Sequence, residues 1–142
     1  MRFFFMMSVI SMFFMAGSVP SVFAGEKAAT KLPFSSARKA GPTLYVSGQV
    51  GRAPDGKKIT EDPAAETRQV MENIARILER HGYGFEHVVS ATVYLRRIED
   101  YAAMNKVYAT YFKGEFPARA CIGGQDLVAP YNVEISCIAY KE

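Results

Sequence analysis

The sequence has few of the residues from which metal sites and disulfide frameworks are built. It contains two cysteines and two histidines in 142 residues, and none of them is spaced like a zinc ligand pair. The cysteines, Cys121 and Cys137, permit one disulfide in an oxidising compartment but do not make a framework. We therefore expect no bound metal and no fold that depends on disulfides.

Clusters of charge and internal repeats are also missing. The formal net charge is only +3 at pH 7, and no run of Lys or Arg is longer than two residues. Basic and aromatic residues do not alternate as they do along a nucleic-acid-binding groove. The composition therefore gives no reason to expect a nucleic-acid partner.

The first 24 residues, "MRFFFMMSVISMFFMAGSVPSVFA", have the pattern of an export signal. One early cation, Arg2, precedes an apolar run, and small or medium side chains end the segment at Ala24. The unbroken apolar part spans about 15 residues, whereas a membrane-spanning helix needs ~20. We expect cleavage after residue 24, a mature domain over 25–142, a periplasmic or secreted location, and no membrane attachment after cleavage.

The mature region reads as alternating strands and helices. Asp62, Pro63 and Gly82 bracket an amphipathic helix as N-cap, first-turn and terminating residues. A second helix is predicted over "EDYAAMNKVYATYFKG" (99–114), and the clearest strands over 43–50, 87–96, 117–123 and 132–140. The order β-β-α-β-α-β-β predicts an α+β fold, with two helices on one face of a single sheet.

Two strands carry apolar side chains on both faces. In the last strand the predicted faces are Val133, Ile135, Cys137 and Ala139 against Glu134, Ser136, Ile138 and Tyr140. In the 87–96 strand they are Val89, Ala91, Val93 and Leu95 against Val88, Ser90, Thr92 and Tyr94. Two helices can cover only one face, so we predict that the other is buried between copies of the chain.

The segment "PARACIGGQDLVAPYNVEIS" (117–136) holds the candidate catalytic residues. Arg119 and Cys121 share one face of their strand, and Glu134 faces away from its buried neighbours. Arginine binds a carboxylate with two parallel hydrogen bonds, and glutamate can act as a general acid or base. If the two strands pair, all three side chains reach a common cleft. A structural ion pair is the alternative interpretation of the same spacing.

Four segments together resemble the Rid (reactive intermediate deaminase) family, and its RidA branch in particular. They are "LYVSGQVG" (44–51), "NKVYATYF" (105–112), "FPARACI" (116–122) and "VEISCIA" (133–139), and the resemblance extends over the chain from about Pro33. It implies a chorismate-mutase-like domain that forms homotrimers with a cleft at each subunit interface. It also implies hydrolysis of 2-imino acids to 2-keto acids and ammonia without a cofactor.

The same resemblance implies roles for individual residues. Arg119 would hold the substrate carboxylate, the backbone carbonyl of Cys121 would place the attacking water, and Glu134 would activate it or protonate the leaving nitrogen. Asn105 and the Ser47–Gly48 turn would line the pocket.

Some features differ from the family pattern. Phe34 stands where the family usually has tyrosine, "DLVAPYN" lacks the turn many members carry before the last strand, and most members are intracellular. A non-catalytic module for small carboxylates, a holdase-type chaperone and a ribonuclease are therefore the alternative functions.

Overall fold

The computed structural model describes residues 33–128 and 130–142 of the chain. The predicted export signal, residues 1–24, lies outside this part. Within the described part, no helix has both the length and the apolar character needed to cross a membrane.

The order of strands and helices is the predicted one. The elements are β1 (Ala37–Ala40), β2 (Thr43–Val50), α1 (Pro63–Arg80), β3 (Val88–Leu95), α2 (Tyr101–Tyr108), β4 (Ala118–Ile122) and β5 (Val133–Tyr140). The second helix is shorter than the sequence predicted. Its α-helical part ends at Tyr108, and a 3-10 turn, Ala109–Tyr111, follows it.

Local signals account for the ends of α1. The Asp62 carboxylate accepts hydrogen bonds from the backbone nitrogens of Ala64 and Ala65, and Pro63 occupies the first turn, where no partner for its nitrogen is needed. Gly82 follows the helix with φ of +79°, a conformation that glycine adopts without strain. The apolar face of this amphipathic helix is buried, and it consists of Val70, Met71, Ile74, Ile77 and Leu78.

The strands form one sheet in the order β1-β2-β5-β3-β4. Neighbours are antiparallel except β3 and β4, which run parallel because α2 forms the crossover between them. The two strands that carry the candidate catalytic residues, β4 and β5, are therefore not neighbours. The premise that they pair is wrong, since β3 lies between them.

Both helices pack on one face of this sheet, which confirms the predicted fold class. Fully buried side chains of β2, β3, β5 and the helices meet there, among them Leu44, Val93, Ile135, Ile74 and Met104. The homotrimer stays a prediction.

The far face of the sheet keeps apolar side chains in contact with solvent. Tyr45, Ile122 and Tyr140 are each more than two-fifths exposed. The predicted faces of β5 are confirmed, but those of Val88 and Val89 are wrong. A register shift after Val88 turns Val89 outward, so Val88 is 7% exposed and Val89 51%.

Candidate active site

The side chains of Arg119 and Cys121 lie on the helix-covered face of the sheet. Backbone pairing sets Arg119 beside Ala91 and Cys121 beside Val93, and both β3 residues are buried under the helices. Because paired residues point to the same side, the arginine and the cysteine face α2. We call Asn105, Arg119 and Cys121 the arginine half-site.

Glu134 lies on the opposite face. It pairs with Tyr94 and stands between Val133 and Ile135, which are buried under the helices. Its carboxylate therefore points away from α2, and one chain does not bring it to Arg119. The expectation of a common cleft within one chain is wrong. We call Phe34, Ser47, Gly48 and Glu134 the glutamate half-site.

Tyrosine rings hold the guanidinium of Arg119. Its central carbon lies 4.7 Å from the ring centre of Tyr108 and 5.8 Å from that of Tyr101. One Nη donates to the Tyr101 hydroxyl at 3.4 Å, and the other is 4.0 Å from the sulfur of Met104. Such cation–π contacts contribute about 0.5–1 kcal/mol each at exposed sites. They orient the arginine without neutralising it.

The positive charge of Arg119 is free to meet an anion. Within the described residues it forms no ion pair with a carboxylate. It borders a pocket of about 390 Å³ that Asn105 and Phe116 also line. This part of the structure therefore brings together two predicted site residues, Asn105 and Arg119. It presents the charged guanidinium of Arg119 at an open surface.

Their positions in the amphipathic second helix predict a place in the core for Tyr101 and Tyr108, and the sequence does not predict their contact with Arg119. Tyr108 is indeed buried, but Tyr101 is 42% exposed. Their spacing with Met104, at i, i+3 and i+7, was a usable signal that they share one helix face. What it did not show was that β4, carrying Arg119, lies against that face.

The thiol of Cys121 is not poised to act as a nucleophile. Burial raises its pKa, although the nearby Arg119 works in the other direction, so the thiol is protonated at neutral pH. Burial also raises the pKa of Tyr108 to about 12. Cys121 and Cys137 are both free thiols. The backbone of Cys121 is therefore the part of this residue that can take part in the site. It belongs to the edge strand β4, in which every second carbonyl points away from β3.

An irregularity in β2 shapes the glutamate half-site. The pairing of β2 with β5 shifts between Val46 and Gln49, which sets Ser47 and Gly48 out of register. Both the backbone nitrogen and the hydroxyl of Ser47 donate to the carbonyl of Ser36, at 3.0 and 3.1 Å. Bulges of this kind change the direction of the strand beside functional sites.

The missing side chain of Gly48 makes room for Glu134. A Cβ at position 48 would overlap the Glu134 carboxylate and lie 2.8 Å from its carboxyl carbon. The two predicted residues are therefore in direct contact. Phe34, in the same half-site, is 64% exposed and borders a groove that also reaches Ser47 and Gly48.

A buried carboxylate fixes the start of β5, and with it the position of Glu134. Glu66 of α1 is fully buried and accepts hydrogen bonds from the backbone nitrogens of Asn132 and Val133, at 2.8 and 3.1 Å. The Asn132 side chain donates to its second oxygen at 3.0 Å. The sequence contained a signal for this role, since Glu66 precedes the buried Val70 by one helical turn.

We expect Gly48→Ala to impair the glutamate half-site more than the fold. The added methyl group forces the Glu134 carboxylate aside, because backbone and carboxylate already touch. Activity that depends on Glu134 should fall at least about tenfold, while the melting temperature changes by a few degrees at most. Gly114→Ala is the matched control, since a Cβ there meets nothing within 4 Å. Equal effects of the two substitutions would contradict the contact as the cause.

The two histidines serve local structure. Nδ1 of His81 lies 2.8 Å from the carbonyl oxygen of Ile77 at the end of α1, and Nδ1 of His87 accepts from the backbone nitrogen of Gly84. Among residues 33–128 and 130–142 there is no group of three or more His, Cys, Asp or Glu able to hold a metal ion.

Comparison with known proteins finds the same domain elsewhere. The chain matches the family described as Endoribonuclease L-PSP over residues 24–141. It is 44% identical over 111 residues to a RutC family protein of Pyrococcus horikoshii, which covers 78% of this chain and 88% of the relative. It is 37% identical over 110 residues to the mouse 2-iminobutanoate/2-iminopropanoate deaminase, covering 77% and 82%. The crystal structure of RidA from an Antarctic Psychrobacter superposes with a TM-score of 0.74 at 36% identity, covering 80% and 92%.

Proposed function

The chain belongs to the Endoribonuclease L-PSP family, also called the Rid family, and from that premise we propose that it is a RidA-type hydrolase of reactive 2-imino acids. Relatives at 36–40% identity carry the name 2-iminobutanoate/2-iminopropanoate deaminase. The products are a 2-keto acid and ammonia.

One observation carries the proposal: the charged fork and the carboxylate lie on opposite faces of one sheet. Arg119 has no carboxylate partner within the described residues, and Glu134 lies against Gly48 on the face with exposed apolar side chains. Neither half-site is sufficient alone. We infer that an active site forms where the arginine half-site of one copy meets the glutamate half-site of another, in a ring of identical subunits, most simply a trimer.

Such a site holds the groups that imine hydrolysis needs. The Arg119 guanidinium binds the substrate carboxylate through two parallel hydrogen bonds and so fixes the orientation of the C=N bond. Glu134, from the neighbouring copy, accepts a proton from a water molecule as the water oxygen bonds to C2. Glu134 passes this proton to the nitrogen, and a carbinolamine results.

Collapse of the carbinolamine completes the reaction. Glu134 takes the proton of the C2 hydroxyl and gives it to the nitrogen, the C–N bond breaks, and the hydroxyl oxygen becomes the keto oxygen as ammonia leaves. One water is consumed for each imine, and no electrons are exchanged. The imine carbon is already electrophilic, so positioning and a single proton relay suffice. A backbone carbonyl of β4, Cys121 in particular, is the proposed second contact of the attacking water.

The function is tested by measuring the hydrolysis of imines that are generated in situ. An amino-acid oxidase supplies 2-iminopropanoate or 2-iminobutanoate, and loss of the imine is followed against its uncatalysed hydrolysis. The mature chain, residues 25–142, should accelerate the loss. No acceleration with any imine of a panel of amino acids would refute the proposal.

One residue favours a second candidate, a non-catalytic module that binds small carboxylates. Phe34 keeps an aromatic wall at the half-site but has no hydroxyl to donate a hydrogen bond. A neutral hydrogen bond contributes about 0.5–1.5 kcal/mol, so a missing one reduces turnover without abolishing it. Catalysis therefore remains the preferred function.

We expect Phe34→Tyr to change kcat/KM by about tenfold at most, because one neutral hydrogen bond is gained and the ring is kept. Steady-state kinetics on an oxidase-generated imine measure the change. An inactive wild type with an active Phe34→Tyr variant would favour the binding module. A hundredfold change in an active enzyme would show that this ring is closer to the reacting atoms than we propose.

A further inference from the structure

An arginine-rich groove leads away from the glutamate half-site. It has a volume of about 440 Å³ and runs along α1 from Phe34, Ser47 and Gly48 to Arg52, Arg76 and Arg80. No Asp or Glu is among the residues that line it. A ligand seated against Ser47 and Gly48 therefore has guanidinium groups as its neighbours in this direction.

Within residues 33–128 and 130–142 these arginines form no ion pair with a carboxylate. The ion pair in this part of the chain joins Arg97 to Asp100, away from the groove. All three groove arginines have exposed side chains. Three uncompensated positive charges around one concave surface attract a small anion, the more so at low ionic strength.

One residue of α1 organises the groove. The amide nitrogen of Asn73 donates to the carbonyls of Val50 and Arg52, at 3.0 and 2.9 Å, and so ties the end of β2 to the helix. The amide oxygen of Asn73 accepts a hydrogen bond from the guanidinium of Arg76. Asn73 therefore fixes the backbone at Arg52 and the guanidinium of Arg76, and Arg76 keeps donors free for a ligand.

We propose that this groove receives the side-chain carboxylate of the substrate, so that the preferred imines are 2-imino dicarboxylates such as those derived from aspartate and glutamate. The inference rests on the proposed function. The substrate's first carboxylate binds Arg119 of a second copy, and its imine carbon lies near Glu134. Its side chain then extends past Gly48 into the groove, where Arg76 and Arg80 meet the second carboxylate. Guanidinium forks match carboxylates in shape as well as charge.

The test compares acidic and neutral imines in the oligomeric enzyme. Oxidases acting on glutamate or aspartate supply the acidic imines, and oxidation of 2-aminobutanoate supplies the neutral one. The wild type should show a higher kcat/KM for the acidic imines. Arg76→Gln combined with Arg80→Gln should lower kcat/KM for the acidic imines at least about tenfold. The same double variant should change kcat/KM for the neutral imine by no more than about twofold. Arg68→Gln, an exposed arginine of the same helix outside the groove, is the matched control and should change neither.

Binding gives a readout that does not need turnover. Calorimetry should show that glutarate binds the wild type more tightly than butanoate does, and that the double variant loses this difference. An unchanged acidic-to-neutral ratio in the double variant would overturn the inference. Hydrolysis of the neutral imine alone would overturn it too and leave the proposed function intact. If no imine is hydrolysed, the proposed function fails and this inference fails with it.

Discussion

Arg119→Ala is expected to abolish the proposed imine hydrolysis and to leave the protein folded. In the proposed site the guanidinium fixes the substrate carboxylate, and charge-assisted hydrogen bonds lost as a pair cost roughly 3 kcal/mol or more of transition-state stabilisation. That is a fall of kcat/KM on the order of a hundredfold or more. The fold loses only the stacking of the arginine on Tyr101 and Tyr108, so the melting temperature should drop by a few degrees.

Activity and melting temperature must be measured on the same sample of Arg119→Ala. A structural ion pair between Arg119 and Glu134 of one chain would predict unfolding instead, but the two side chains lie on opposite faces of the sheet. Arg119→Lys tests geometry separately from charge. Lysine keeps the charge without the fork, so its activity should also fall by about tenfold or more. A folded Arg119→Ala variant with wild-type turnover would remove the arginine from the site.

Two inactive variants should restore each other's activity when their subunits are mixed. Arg119→Ala retains a sound glutamate half-site, and Glu134→Gln retains a sound arginine half-site. If each active site takes one half from each of two copies, a mixed ring contains junctions at which both halves are intact. With equal amounts and random assembly, about a quarter of the junctions are of this kind. The unselected mixture should therefore regain about a quarter of wild-type activity from two preparations that are each nearly inactive. Trimers recovered because they contain both variants should regain about a third, since each has one intact junction in three.

The experiment uses co-expression with two different affinity tags, so that only rings containing both variants are recovered. The control mixes Arg119→Ala with the double variant Arg119→Ala/Glu134→Gln. That mixture contains no intact Arg119 and should stay inactive. Light scattering on the mixed sample measures its oligomeric state. No gain of activity in rings that carry both tags would contradict the shared site, and so would a stable monomer at micromolar concentration.

The local structure of this chain could be predicted because its signals are short-range. Asp62, Pro63 and Gly82 begin and end α1 through contacts within a few residues, and the buried stripe of α1 follows from the period of the helix. The alternation along β5 likewise separates the buried residues from the half-buried or exposed ones between them. The resemblance of four segments to the Rid family then pointed to the correct family. The export signal over residues 1–24 stays a prediction.

The spatial arrangement of the site was decided by the order of strands, which local patterns do not contain. β3 lies between β4 and β5, and its register sets Arg119 beside Ala91 and Glu134 beside Tyr94, which face opposite sides of the sheet. The register shift after Val88 is likewise a feature that local sequence patterns do not contain. One extra residue reverses every later side chain, and nothing in the sequence period announces it.

The sequence by itself identified the residues that are proposed to carry the chemistry, namely a guanidinium, a carboxylate and a glycine that leaves room beside it. Only the tertiary structure decided how they are distributed. It placed Tyr101 and Tyr108 around Arg119, Gly48 against Glu134, and Arg76 beside the same half-site. The physical reason is that these contacts join residues far apart in the chain. Their energies depend on which strands and helices become neighbours, and that choice is made by burial of the whole core rather than by any local segment.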